Sequence, residues 1–348
     1  MKKRSILNLI KYYAEQNDPA FRAQAYEIAR DFDQAGDYQI AEYVMALLSD
    51  ASAFVPQENI TNFESAFMTP VHSNNKPLPL PDVISDDVRG IVNAVGRNVG
   101  LNKFLFAGPP GTGKTETAKR VARILEREIL AVNFSDIVDS KLGQTGKNIA
   151  ELFAEIRRLP AQSRYIILFD ELDALVLDRA DSRDLREMGR ATSIFLRELD
   201  DFPSHVVLIA TTNLYDYLDK AVVRRFDYVV DFDRYSRDDL VEIAEKLVAT
   251  YIDEYGSASK NKRLLTKILA QVEEMPYPAD LANIIRTSIA FGDPNDGFSY
   301  LRRMYQTLTG GDPSDIYKLQ DEGFTMREIE VLAKVPKSTV AREVRGRQ

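Results

Sequence analysis

Gly108-Pro109-Pro110-Gly111-Thr112-Gly113-Lys114-Thr115 decides how the rest of this chain is read. A glycine, four residues, a glycine, a lysine and a hydroxyl is the pattern of a phosphate-binding loop. The glycines let backbone N–H groups turn inward around phosphate oxygens. Lys114 adds a point charge for the β- and γ-phosphates, and the Thr115 hydroxyl can ligate magnesium. Glu116 opens the following helix and is counted with the cradle. An apolar run, Phe104-Leu105-Phe106, precedes the loop, and helix-forming Thr117 to Glu126 follows it. Strand, loop and helix in that order place bound phosphate at a helix N-terminus. ATP and Mg²⁺ are therefore the expected ligands, held by Gly108 through Glu116.

Further along stands Tyr165-Ile166-Ile167-Leu168-Phe169-Asp170-Glu171-Leu172-Asp173. An apolar strand delivers carboxylates to its C-terminal end, where open α/β sheets bind ligands. Asp170 is the expected magnesium ligand beside Thr115, and Glu171 the group that polarises an attacking water. A further apolar strand, Val206-Val207-Leu208-Ile209-Ala210, ends in Thr211-Thr212-Asn213. An amide there either touches a γ-phosphate and orients water or serves as an ordinary turn residue. Arg224-Arg225-Phe226-Asp227 follows. Adjacent arginines in this setting are either a solvated surface pair or charges reaching a γ-phosphate.

Short apolar runs alternate with helical stretches from Pro81 to about Arg234. The strand candidates are Lys103 to Phe106, Ile129 to Phe134, Tyr165 to Phe169, Val206 to Thr211 and Tyr228 to Phe232. Such alternation predicts a parallel sheet sandwiched between helices, an α/β fold of three layers. Before it, Ile6, Leu9, Ile10 and Tyr13, then Ala25, Ile28, Ala29 and Phe32, then Ile40, Ala41, Val44, Leu47 and Leu48 recur at helical spacing. The expected organisation is a helical N-terminal unit over 1–52, a linker over 53–80 and the α/β domain over 81–235. A helical lid over 236–311 and a short helical tail over 312–348 complete it.

Composition excludes much else. With 348 residues, 45% apolar and 28% charged, the chain is ordinary for a globular protein. No apolar run approaches the roughly 18 residues needed to span a bilayer. No cysteine is present, which removes disulfides, thiolate catalysis and Cys-based zinc. Two histidines, His72 and His205, do not suggest a histidine metal site. The N-terminus offers no apolar signal core, so a cytoplasmic location is expected. A net charge of −8 argues against coating nucleic acid by bulk electrostatics and leaves a local basic patch open.

Taken together, the phosphate loop, the Asp-Glu-x-Asp box, the Ala210-Thr211-Thr212-Asn213 strand end and Asp219 to Asp227 resemble the AAA family proper of AAA+ ATPases. The adjacent arginines resemble those of its katanin and spastin branch. The segment Tyr277-Pro278-Ala279-Asp280-Leu281 is similar to the family's lid signature, with Pro278 in place of a glycine. The resemblance covers roughly residues 82 to 292. The whole chain looks like stand-alone bacterial AAA ATPases, some of which are encoded beside a subtilisin-like peptidase in phage-defence loci.

The resemblance implies a homo-oligomeric, hexameric ring in which Arg224 and Arg225 act on a neighbour's nucleotide as arginine fingers. It implies remodelling or unfolding of a protein partner. A DNA-directed ATPase and a nucleotide switch that licenses a partner enzyme such as a peptidase are the other readings. In the loop Ser140-Lys141-Leu142-Gly143, Lys141 stands where the family's pore loop has an aromatic, which departs from ordinary peptide threading. The tail from Leu319 to Val344 resembles a bacterial helix-turn-helix, with helices over Met326 to Ala333 and from Lys337. Glu330 and Lys334 depart from that pattern. Lys337, Ser338, Thr339 and Arg342 would face DNA, and docking to a protein is the equal alternative.

Overall fold

The computed structural model describes residues 3–48, 65–71, 79–138, 143–173, 182–255 and 259–346. The chain forms two compact units, residues 1–234 and 235–348.

The first unit opens with helices α1 (Lys3–Ala14), α2 (Asp18–Ala35) and α3 (Tyr38–Leu48). Asn17 caps α2 through its side chain, and Gly36 ends it in the left-handed conformation (φ 86°) that glycine adopts without strain. Then come β1 (Met68–Val71), α4 (Asp82–Gly96), β2 (Lys103–Ala107), α5 (Lys114–Ile124), β3 (Glu128–Asn133) and the short α6 (Phe134–Ile137). They are followed by α7 (Gln144–Arg158), β4 (Tyr165–Asp170), α8 (Ser182–Asp200), β5 (Val207–Thr212), α9 (Lys220–Val223) and β6 (Tyr228–Asp231).

The sheet order is β1-β3-β4-β5-β2-β6. All neighbours pair in parallel except β1, which runs antiparallel to β3 with Met68 opposite Val132. Side chains alternate between the two faces of a strand. On one face Leu105, Leu130, Ile167, Phe169, Leu208 and Ala210 share a core with Ile149, Leu152 and Phe153 of α7 and Phe195 and Leu199 of α8. The intervening Phe104, Phe106, Ile166, Leu168 and Ile209 are also buried, on the face where α5 meets β3, β4 and β5. Helices thus cover both faces, and the three-layer α/β fold expected from the sequence is present.

Two details differ from the sequence reading. The stretch read as linker contributes β1, an edge strand. Pro70 is tolerated there because only one side of the strand needs a ladder. The third strand ends one residue early: Phe134 starts α6 and is fully buried, edge-on to Phe169 and Phe195.

The N-terminal helices are fastened to α5, the helix that begins at Lys114. Arg120 of α5, only 5% exposed, reaches Asp33 of α2 at 2.5 Å, with Glu42 of α3 3.8 Å from its Nε. Arg123 makes a forked pair with the same Glu42 at 3.1 Å to each oxygen. Removing one partner of a buried ion pair strands the other charge, which typically costs several kcal/mol. Asp33→Ala should therefore destabilise this unit by about 3 kcal/mol, the low end of that range, because Glu42 still stands beside Arg120. Thermal unfolding followed by circular dichroism should show its transition fall by roughly 6–12 °C. No change in the transition would mean that the N-terminal helices are not anchored through Arg120.

The second unit is helical among its described residues: α10 (Arg237–Tyr255), α11 (Lys262–Ala270), α12 (Pro278–Ala290), α13 (Ser299–Thr309), α14 (Ile316–Asp321), α15 (Met326–Ala333) and α16 (Lys337–Gly346). Pro278 occupies the first turn of α12, where its missing N–H costs nothing. Thr325 and Glu328 form a reciprocal capping box at the start of α15. Glu328 also binds Lys267 of α11 at 2.6 Å, tying α15 to the earlier helices of this unit. The two residues that depart from the helix-turn-helix pattern both have structural work. Lys334 takes the left-handed turn position (φ 56°), and the Glu330 carboxylate accepts the Lys337 backbone N–H at 3.1 Å, capping α16.

Candidate nucleotide site

The carboxyl ends of β2, β4 and β5 converge, because β5 lies between the other two. The loop Gly108 to Gly113 leaves β2 at this edge and α5 begins at Lys114. Gly108 has φ 145°, and a Cβ there would lie 2.9 Å from the Cβ of Phe232 and 3.1 Å from its backbone, so no side chain fits. Gly113, at φ 91°, turns the chain into α5. Thr112 donates to the Pro109 carbonyl at 2.9 Å, and Thr117 to Gly113 at 2.9 Å, which fixes the loop's shape.

Lys114 is 7% exposed. Its ammonium donates to the carbonyls of Gly108 at 2.6 Å and Pro109 at 2.7 Å, and so points back into its own loop. Burial lowers its pKa to about 8, while Asp173, Asp170 and Glu171 pull in the opposite direction. Thr115 donates to the Asp170 carboxylate at 3.0 Å. The phosphate loop and the end of β4 are thereby brought into direct contact. One hydroxyl and one carboxylate side by side fit a magnesium ion, which takes few protein ligands and completes its shell with phosphate and water.

Threonines at the end of β5 organise the end of β4. Thr211 donates to Asp170 at 2.7 Å and accepts the Glu171 N–H at 2.9 Å. Glu171 sits in the left-handed region (φ 53°), a conformation that costs about 1–3 kcal/mol in a non-glycine residue and that Thr211 helps to hold. Its carboxylate faces solvent beside the loop. Thr212 donates to Asp173, and Asp173 accepts the Asn213 N–H at 2.9 Å. The motif reading quoted Thr211 and Thr212 within the strand end Ala210 to Asn213 but gave neither a role. Their signal was that strand end itself, and their partners become evident once β4 and β5 are adjacent.

Arg224 and Arg225 follow α9, and the two differ. Arg225 is held within its own chain by Asp200 at 3.2 and 3.3 Å and by the Ala221 carbonyl at 2.9 Å. Arg224 is exposed, and its guanidinium has no partner among the described residues. Gly143 to Ile149 form the start of α7. Ser140, Lys141 and Leu142 of the loop compared with a pore loop lie outside the described residues.

Residues 104–234 match the family model described as ATPase family associated with various cellular activities (AAA). This part of the chain is an AAA ATPase domain. Among curated proteins it is similar to the uncharacterized AAA family ATPase y4kL of Sinorhizobium fredii. The two are 40% identical over 133 residues, covering 38% of this chain and 39% of that one. It is 34% identical to the peroxisomal ATPase PEX6 of Rattus norvegicus over 208 residues, 58% of this chain and 20% of that one. It is 32% identical to the proteasome-activating nucleotidase of Methanococcus vannielii over 188 residues, 47% of this chain and 46% of that one. The chain thus spans less than half the length of these relatives. No helix among the described residues is long and apolar enough to cross a membrane.

Proposed function

We propose that this protein hydrolyses ATP in a hexameric ring and uses the cycle to remodel or unfold a protein partner. The observation that carries the reading is the 3.0 Å contact between Thr115 and Asp170, which joins the phosphate loop to the acidic strand end with Glu171 next in sequence. The loop N–H groups and Lys114 bind the phosphates. Thr115 and Asp170 would hold magnesium, which when bound would supply positive charge to the phosphates. Glu171 accepts a proton from the attacking water, and Asn213, set by Asp173, orients that water. Arg224 meets the γ-phosphate of the neighbouring subunit. Peroxisomal ATPases and proteasome-activating nucleotidases among the relatives support a protein as the partner, and the family resemblance supports the ring. Phosphate release measured with and without an unfolded protein tests this. Stimulation that disappears in Lys114→Ala supports it, and a wild-type protein with no phosphate release contradicts it.

Binding should also depend on pH. The free enzyme's Lys114 has a pKa lowered to about 8, whereas bound phosphate favours its charged form. Below that value the lysine is already protonated and affinity is flat. Above it, each ATP bound must take up a proton, so affinity should fall by up to tenfold per pH unit. Titration of a fluorescent ATP analogue from about pH 7 to about pH 10 checks this, with Lys114→Arg expected to remove the slope because arginine keeps its charge throughout.

The tail supports a second reading, in which DNA places the ring. Lys337, Ser338, Arg342 and Arg345 are exposed on α16, while Ile329, Leu332, Val340 and Val344 are buried where α15 and α16 pack. If the tail binds DNA, affinity should drop steeply with salt as phosphate contacts release counterions. Deleting residues 312–348 should abolish it and leave basal ATP turnover intact. DNA binding that is absent at low salt in the ATP-bound protein leaves the tail as a protein dock.

A further inference from the structure

A cavity lies at the other end of the sheet from the nucleotide loop. Its volume is about 190 Å³, and its walls include Asn98, Arg127, Ser163, Ser204, His205 and Val207. Arg127 immediately precedes β3, Ser163 lies two residues before β4, and Ser204 and His205 precede β5. Leu101 and Asn102, also in the wall, precede β2. Strands β2, β4 and β5, whose carboxyl ends converge at the nucleotide loop, thus border this cavity with their amino ends. The five residues of β2 alone separate the two by about 16 Å.

Arg127 is the lining residue with a permanent charge. A guanidinium has five N–H donors in a fixed fork. Among the described residues Arg127 uses one, on the His205 carbonyl at a long 3.3 Å. Arg164, the residue after the lining Ser163, is by contrast paired with Glu128 at 3.2 Å. Burial draws the Arg127 pKa down, and among the described residues it makes no ion pair. A half-buried arginine with no ion-pair partner among the described residues, lining a cavity together with Ser163 and Ser204, is an arrangement that an anion completes.

We propose that this cavity binds a small phosphate-like oxyanion, held by the Arg127 fork and the hydroxyls of Ser163 and Ser204. The volume lies below the roughly 300 Å³ at which pockets for drug-sized ligands begin, so a single anionic group fits rather than a whole nucleotide. A planar carboxylate is satisfied by the fork alone. Hydroxyls arriving from two further chain segments suit a tetrahedral ion with oxygens on more than one side. The group could be free phosphate or the phosphoryl end of a larger molecule that extends into solvent past the exposed Ser163 and Ser204.

The test is calorimetric titration of inorganic phosphate into the full chain carrying Lys114→Ala, which disables the nucleotide loop and separates this site from it. One phosphate per chain is expected, with affinity at least tenfold weaker after adding Arg127→Gln. The Ser163→Ala/Ser204→Ala pair should weaken it severalfold without touching the charge, which covers the case in which the arginine variant fails to fold. Phosphoserine titrated in parallel separates the sources: exclusion of the ester assigns the free ion, and equal binding assigns a phosphoryl group on a larger ligand. No phosphate uptake at millimolar concentration, or uptake that is unchanged in both variants, overturns the proposal.

Discussion

Arg224→Ala is expected to cut ATP turnover by about 10³-fold, the lower end of what an arginine finger contributes, while leaving nucleotide affinity nearly unchanged. The reason is positional. Lys114, Thr115, Asp170, Glu171 and Asn213 come from strand ends and loops that converge on one place. Arg224 follows α9 on the segment leading to β6, and no group of its own chain among the described residues satisfies it. A charge held in that way is available to a second molecule. Arg225 starts from a different position, because Asp200 and the Ala221 carbonyl already hold it. The Asp200 pair is solvent-exposed, and such pairs contribute about 0–1 kcal/mol, so Arg225 can let go when a neighbour docks. Arg225→Ala should therefore have the smaller effect. Asp200→Asn, which removes the carboxylate partner of Arg225 and leaves the Ala221 carbonyl, should leave turnover within a few-fold of wild type. Equal losses from the two arginine variants, measured as kcat with saturating ATP, would contradict this division.

Glu171→Gln should bind ATP as tightly as wild type and hydrolyse it about 10³-fold more slowly, within the range a general base supplies. The amide keeps the size and the backbone hydrogen bond to Thr211 that holds the residue at positive φ. Only the proton acceptor is lost. A drop in kcat with an unchanged dissociation constant separates this from damage to the fold. Lys114→Ala should behave in the opposite way and lose binding itself. A Glu171→Gln protein that turns ATP over at the wild-type rate would remove Glu171 from the mechanism.

The parts of the fold that were legible in the sequence are those written in local chemistry. Glycines at 108, 111 and 113 followed by Lys114 and Thr115 define a loop whose shape is written largely in its own residues, although the Gly108 N–H also donates to the Thr212 carbonyl at 3.3 Å. Five parallel strands were legible because each is an apolar run. β1 was not: Met68 to Val71 is four residues long and contains a proline, and its strand character comes from its pairing with β3. The threonine hydroxyls of 211 and 212 could not be given partners from sequence, since strand order, not chain order, puts β5 beside β4. The same holds for Arg120, whose carboxylate Asp33 lies far back in the chain, and for Asp200, which distinguishes Arg225 from Arg224. Motif chemistry identified the groups, and the long-range pairing distinguished their situations.

Completion of the site between subunits is the central claim, and mixing tests it most directly. Arg224→Ala supplies an intact Glu171 and lacks the finger; Glu171→Gln supplies an intact finger and lacks the base. Each protein alone should release phosphate slowly. When the two are combined before assembly, interfaces that join a normal Glu171 to a normal Arg224 should form, and phosphate release should rise well above the sum of the parents, increasing with total protein concentration. Mixtures no more active than their parents, or a wild-type specific activity that stays flat down to concentrations where sedimentation detects only monomer, would contradict it.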